Sequence, residues 1–211
     1  YMLLDTSGSM SYRSGKYSKL DFGRFICGVF AYILAQQQDA VGLLTFDTRT
    51  RKQLAPASTR SHMLTVLNAL RTVKPGEDTE LAQVLHRLAN RLKRRALVII
   101  VSDFFDDCNS IINALNHFAR RRHEVVVFQV LDRAEIEFPF TEQAQFTSLE
   151  DDTAVMADPV RIRREYRRQF AEHERQFRSA CHRLRVDYNQ LVTDMPFERS
   201  MAQYLAERLR K

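Results

Sequence analysis

At 211 residues with 45% hydrophobic content, the chain has the apolar material for a sizeable α/β core. No apolar run approaches the roughly 20 residues of a membrane span, and Cys27, Cys108 and Cys181 lie too far apart for a zinc site or a disulfide framework, so reduced cytosolic thiols are expected. The formal charge of +6, from 32 Lys and Arg against 26 Asp and Glu, is concentrated in one C-terminal stretch.

The chain opens on the apolar run Tyr1-Met2-Leu3-Leu4, read as a strand that leads without a spacer into Asp5-Thr6-Ser7-Gly8-Ser9. With no initiator Met before that strand, the expectation is a fragment, with room upstream for a signal peptide, a membrane anchor or an extra domain. Ser11 to Lys19 reads as an exposed polar loop. Phe22, Phe25, Ile26, Val29, Phe30, Ile33 and Leu34 then recur at helical spacing. Val41 to Phe46 is near-continuously apolar, as a strand covered on both faces is. After the turn Asp47-Thr48-Arg49, a short antiparallel edge strand is predicted from Thr50 to Leu54.

Leu64, Leu67 and Leu70 mark a helix ended by Pro75-Gly76, and Leu81, Val84, Leu85, Leu88 and Leu92 mark the next. The strand Ala96 to Val101, a helix carrying Ile111, Ile112, Leu115 and Phe118, and the strand Val125 to Leu131 follow. Strands separated by helices predict right-handed crossovers and a doubly wound, Rossmann-like, mostly parallel sheet covered on both faces. The segment 133–158 reads as an insertion of loop and hairpin. The segment 159–211 reads as a helix to about Arg185, a strand Asp187 to Val192 and a helix Glu198 to Leu209, which complete a single domain over 1–211.

Three loops are expected to meet at the C-terminal edge of this sheet, where open α/β sheets bind ligands. They are the Asp5 loop, the stretch Gly76-Glu77-Asp78-Thr79 before a helix, and Ser102-Asp103 after a strand. Carboxylates and hydroxyls are hard oxygen donors, which suit Mg²⁺ rather than zinc. Taken alone, Asp-x-Ser-x-Ser is equally the composition of a tight turn.

Asp5-x-Ser7-x-Ser9, Thr79 and Asp103 together resemble the metal-ion-dependent adhesion site of the von Willebrand factor A family, over a stretch running from Tyr1 to about Val130 and beyond. The wording Leu-Leu-Asp-Thr-Ser-Gly-Ser-Met, Asp39 to Asp47 and Val101 to Asp107 is similar to a bacterial branch encoded beside MoxR-type AAA+ ATPases. Asp78 stands where many members have glycine. The resemblance implies a cytoplasmic adaptor, not an enzyme, that binds Mg²⁺ or Mn²⁺ through Asp5, Ser7, Ser9, Thr79 and Asp103. It also implies that the ion receives an acidic residue of a MoxR-type ATPase or its client, with Ser11 to Lys19 and Phe104 to Asp107 as the rim. Asp5 and Asp103 are expected to repel each other, so that Asp103→Asn leaves the metal-free protein as stable as before.

Two other readings compete. Nine arginines between Asp158 and Arg185 make a nucleic-acid face conceivable; the plain alternative is a solvated helix with i,i+4 pairs such as Arg161 to Glu165 and Arg168 to Glu172. His173, between Glu172 and Glu174, reads as a surface or half-buried histidine, since adjacent helical residues diverge. A divalent-metal phosphohydrolase would also place a nucleophilic Asp after its first strand. That class resembles Asp-x-Asp, and Ser7 stands in the position of its general acid, where a hydroxyl cannot protonate a leaving group.

Overall fold

The computed structural model describes residues 1–76, 80–142, 144–147 and 154–208, with backbone alone for 144–147, 154–157 and 207. Its elements run β1 (Met2–Asp5), a 3-10 turn (Gly8–Ser11), α1 (Lys19–Gln36), β2 (Val41–Phe46), β3 (Thr50–Ala57), α2 (Arg60–Thr72), α3 (Leu81–Arg91), β4 (Leu97–Ser102) and α4 (Cys108–Arg120). Then come β5 (Glu124–Leu131), α5 (Arg133–Glu137), β6 (Ala144–Thr147), β7 (Ala154–Ala157), α6 (Pro159–Arg183), β8 (Asp187–Val192) and α7 (Phe197–Arg208).

Six strands form one sheet in the order β3-β2-β1-β4-β5-β8, parallel except for β3, which pairs antiparallel with β2. The doubly wound α/β reading therefore holds. The apolar runs are buried because helices cover both faces. Met2 and Leu4 of β1 point into a core shared with Phe22, Phe30, Phe128 and Tyr204, while Leu3 points the other way, to Leu85, Ile100, Phe118 and Phe177. Burying a side chain of this size contributes about 1.5–3 kcal/mol.

The edge strand is longer than the expected Thr50 to Leu54. It continues through Pro56 to Ala57, with register shifts along β2, and Pro is tolerated there because an outer edge needs no ladder donor. Its exposed Arg51 and Lys52 discourage pairing with another chain. β6 and β7 form a separate antiparallel hairpin, and β8 extends the main sheet beside β5. Among the described residues, no helix is long and apolar enough to cross a membrane.

Two features fix the ground under the site. A Cβ added to Gly23 of α1 would come within 2.5 Å of Leu4 Cδ1, so this glycine lets the helix settle closely on β1. At its N-terminus Ser18 and Asp21 form a reciprocal capping box, which starts α1 at Lys19. Here the sequence reading needs correction: Lys19 belongs to no exposed loop but is fully buried in the first turn of α1. The polar text around it hides this, because its burial depends on carboxylates distant in the chain, Asp103 after β4 and Glu135 in α5.

Candidate functional site

Parallel strands end at the same edge of a sheet, and β1, β2, β4 and β5 each end on or just before an aspartate: Asp5, Asp47, Asp103 and Asp132. All four are at most 1% exposed. Asp47 is ion-paired to Arg51, and a Cβ at Gly76 would run into its carboxylate, so the Pro75-Gly76 backbone lies tightly against it. Asp132 caps α5. Asp5 and Asp103 face each other across β1 and β4.

The Asp5 loop is held from three directions. Thr6 donates to the Phe46 carbonyl through both its backbone nitrogen (2.7 Å) and its hydroxyl (2.8 Å), and Gly76 N donates to Thr6 O at 2.5 Å. Ser7 N donates to Asp5 Oδ1 at 2.9 Å, and Ser102 Oγ donates to Asp5 Oδ2 at 2.6 Å. The Ser7 and Ser9 hydroxyl oxygens lie 3.2 Å apart. Two neighbouring oxygens in an octahedron at ~2.1 Å from Mg²⁺ would be ~3.0 Å apart, so this spacing fits a shared hard cation.

Burial pushes the Asp5 carboxyl up to about 7, the negative Asp103 adds to the rise, and hydrogen bonds from Ser102 and Ser7 oppose it. Three carboxylates, Asp5, Asp103 and Glu135, set against the Lys19 ammonium leave this pocket short of positive charge, the condition a divalent cation relieves.

Asp103 is anchored differently. Its Oδ1 accepts from Phe105 N at 3.2 Å, and its Oδ2 accepts from Lys19 Nζ at 2.7 Å. The same ammonium donates to Glu135 Oε1 at 2.5 Å and lies 4.9 Å from the centre of the Phe105 ring. Burial alone would lower the Lys19 pKa, but Asp103 and Glu135 hold it above the ordinary lysine value. Burial likewise keeps Glu135 above the usual carboxylate range against the pull of Lys19.

Phe104, next in the chain, has φ 61°, a left-handed conformation that costs a non-glycine residue energy. The turn drives the Phe104 ring into the core, fully buried, and leaves Phe105 at 37% exposure on the rim. Of the expected Phe104 to Asp107 rim, Phe104 is therefore core. His173 Nε2 donates to the Phe104 carbonyl at 3.1 Å, which ties α6 to this turn and gives the half-buried histidine a structural partner.

Of the residues singled out from sequence, Asp5, Ser7, Ser9 and Asp103 meet at this edge, while Thr79 lies outside the described residues, as do Glu77 and Asp78. Sequence reasoning placed Ser102 in the third loop without a role, took Lys19 for the end of an exposed loop, and missed Glu135. One signal for Lys19 was present: a cation in the first turn opposes the helix dipole and calls for nearby anions. Among the described residues, no group of three or more His, Cys, Asp and Glu could hold a metal, so the hydroxyls are needed to complete any site here. A hollow of 1260 Å³ between α1 and the start of α7, lined by Tyr17, Phe25, Tyr32, Met195 and Phe197, is mostly apolar, and neither Asp5 nor Asp103 lines it.

The α6 arginines pair otherwise than expected. Arg161 meets Asp158, Arg168 meets Glu165 and Arg175 meets Glu172 at i,i+3, and Arg178 meets Glu174 at i,i+4. Arg163 donates instead to the Phe140 carbonyl at 2.5 Å.

Fold and edge together define a doubly wound α/β protein with oxygen-donor side chains gathered where its parallel strands end. The chain belongs to the family described as protein of unknown function DUF58, whose profile matches residues 1–176. It is 24% identical over 142 residues to uncharacterised proteins of Mycobacterium bovis and Mycobacterium tuberculosis, a match covering 66% of this chain and 44% of theirs. The matched stretch thus spans less than half the length of those curated relatives. Its fold is similar to that of the conserved hypothetical protein BatB from Bacteroides thetaiotaomicron, with a TM-score of 0.60, 14% identity, and 100% of this chain and 98% of that one covered. It is also similar to an aerotolerance-related membrane protein from Bacteroides fragilis, with a TM-score of 0.61, 13% identity, and 95% and 94% covered.

Proposed function

We propose that the chain is a divalent-cation-dependent protein-interaction module of von Willebrand factor A type rather than an enzyme. The observation that carries this reading is the convergence of Asp5, Ser7, Ser9 and Asp103 at one sheet edge, with the two hydroxyl oxygens 3.2 Å apart. Asp5, Ser7, Ser9, Thr79 and Asp103 would hold Mg²⁺ or Mn²⁺. The ion supplies a Lewis-acidic position for a hard anionic oxygen, which a partner's Asp or Glu offers.

The protein's own part is positional. The Thr6 bonds to β2 fix the loop, Ser102 orients Asp5, and the buried Phe104 sets the direction of Asp103. By resemblance, the partner is a MoxR-type AAA+ ATPase or its client, met in the cytoplasm. Nothing in this arrangement activates a nucleophile: Asp5 is held by two donors, and the residue two positions on is Ser7 rather than an acid. The paired arginines of α6 favour a solvated face over a nucleic-acid surface.

The test is binding of purified partner in Mg²⁺, in EDTA, and to Ser7→Ala and Asp5→Ala proteins that retain their circular dichroism. Loss of binding in the last three conditions supports the reading; equal affinity in all four defeats it.

A further inference from the structure

Lys19 carries an inference that rests on the metal-dependent reading and deepens it. Its side chain has no solvent exposure, and its ammonium lies between Asp103 Oδ2 at 2.7 Å and Glu135 Oε1 at 2.5 Å. Glu135 is itself fixed, because its Oε2 accepts from Asp132 N at 2.9 Å within the cap of α5. A long, flexible lysine would ordinarily reach for water. Here α1 starts directly beneath the site and two anchored carboxylates retain the charge.

We infer that Lys19 is a resident cation sharing Asp103 with the divalent ion, and that it sets how weakly the site holds that ion. One of the two site carboxylates is already neutralised by the ammonium. A divalent ion placed on Asp5 and Asp103 would sit beside a fixed positive charge in a dry environment, where repulsion is poorly screened. The consequence is an exchangeable ion whose retention is completed by an incoming carboxylate. Lys19 thereby acts as a positioning and affinity-setting residue.

The test measures Mn²⁺ affinity by electron paramagnetic resonance, and Mg²⁺ affinity by calorimetry, on the purified chain without any partner. Lys19→Met keeps the length and removes the charge, and it should tighten Mn²⁺ binding at least about tenfold. Its melting temperature in EDTA should fall, because Asp103 and Glu135 lose their shared counter-charge. Glu135→Gln leaves the ammonium on Asp103 alone and should weaken Mn²⁺ binding severalfold; it decides the matter if Lys19→Met fails to fold, with unchanged or tighter binding defeating the inference.

Unchanged or weaker Mn²⁺ binding by folded Lys19→Met would make Lys19 a purely structural ion-pair member and overturn the inference, while leaving the metal reading of the wild type intact. Binding by Lys19→Met but not by wild type would support the inference, since the native site would then need the incoming carboxylate to retain its ion. Binding by neither would defeat both.

Discussion

Leu4-Asp5 and Leu131-Asp132 are the same residue pair in the same setting, the C-terminal end of a buried parallel strand, and neither carboxylate is exposed to solvent. Their surroundings make them opposites. Asp132 accepts from Ala134 N at 2.9 Å, from Ser14 N at 2.9 Å, from the Ser14 hydroxyl, and from Thr193 Oγ1 at 2.9 Å. Burial alone would raise its pKa, but these donors, Ser14 first, hold it below the usual carboxylate range. Asp5 is buried with only Ser102 and Ser7 to donate to it and a carboxylate for a neighbour, and is pushed up to about 7. A strand-end aspartate with enough donors is a fastening. One with fewer has its pKa raised, and under the proposed reading it is where a cation would sit.

The largest effect should come from breaking the fastening. Asp132→Ala leaves Ser14 and Thr193 without their acceptor and releases two loops at once, so urea denaturation should show a loss of about 3 kcal/mol. Asp5→Asn, measured in EDTA, should cost nothing or stabilise slightly, and should abolish any Mg²⁺-dependent rise in melting temperature.

Asp103 sharpens the contrast within the site. From sequence alone it is equivalent to Asp5, and Asp103→Asn is expected to leave stability unchanged. The ion pair with Lys19 reverses that expectation: the substitution leaves a buried ammonium with Glu135 alone, and a loss of about 2 kcal/mol is expected by urea denaturation in EDTA. Stability equal to wild type would mean that Glu135 suffices as the counter-charge.

The two aspartates should also answer pH with opposite signs. Asp5 has a folded pKa of about 7 against an ordinary aspartate value of 3.8, so the native state binds the extra proton and stability falls as pH rises between those values. In EDTA, the advantage of Asp5→Asn over wild type should therefore grow from about pH 4 to about pH 7 and then level. Asp132, with its folded pKa lowered, contributes stability that is present above its unfolded value and lost as pH falls through the folded one. Wild type should lose its advantage over Asp132→Asn below about pH 4. Parallel pH profiles for the two pairs would refute the distinction.

The smallest effect belongs to the surface. Arg168 and Glu165 are 69% and 54% exposed, and Arg168→Ala should leave the melting temperature unchanged within error. The same variant should not alter nucleic-acid retention at physiological salt; a clear drop would reopen α6 as a binding face.

The sequence by itself determined the sheet. Continuous apolar runs such as Val41 to Phe46 and Ala96 to Val101, separated by helical spacings, leave few alternatives to a doubly wound parallel arrangement, because hydrophobic period is a local property of the chain. It also determined the composition of the Asp5 loop, since Asp-x-Ser-x-Ser is contiguous. What the tertiary structure decided is the role of each strand-end aspartate. Asp5, Asp47, Asp103 and Asp132 look alike in the text, and they differ only through Ser102, Arg51, Lys19, Ser14 and Thr193, most of which lie tens of residues away. Hydrogen bonding and Coulomb interaction act over a few ångströms of space, and no periodicity in the chain records which distant donor will occupy them.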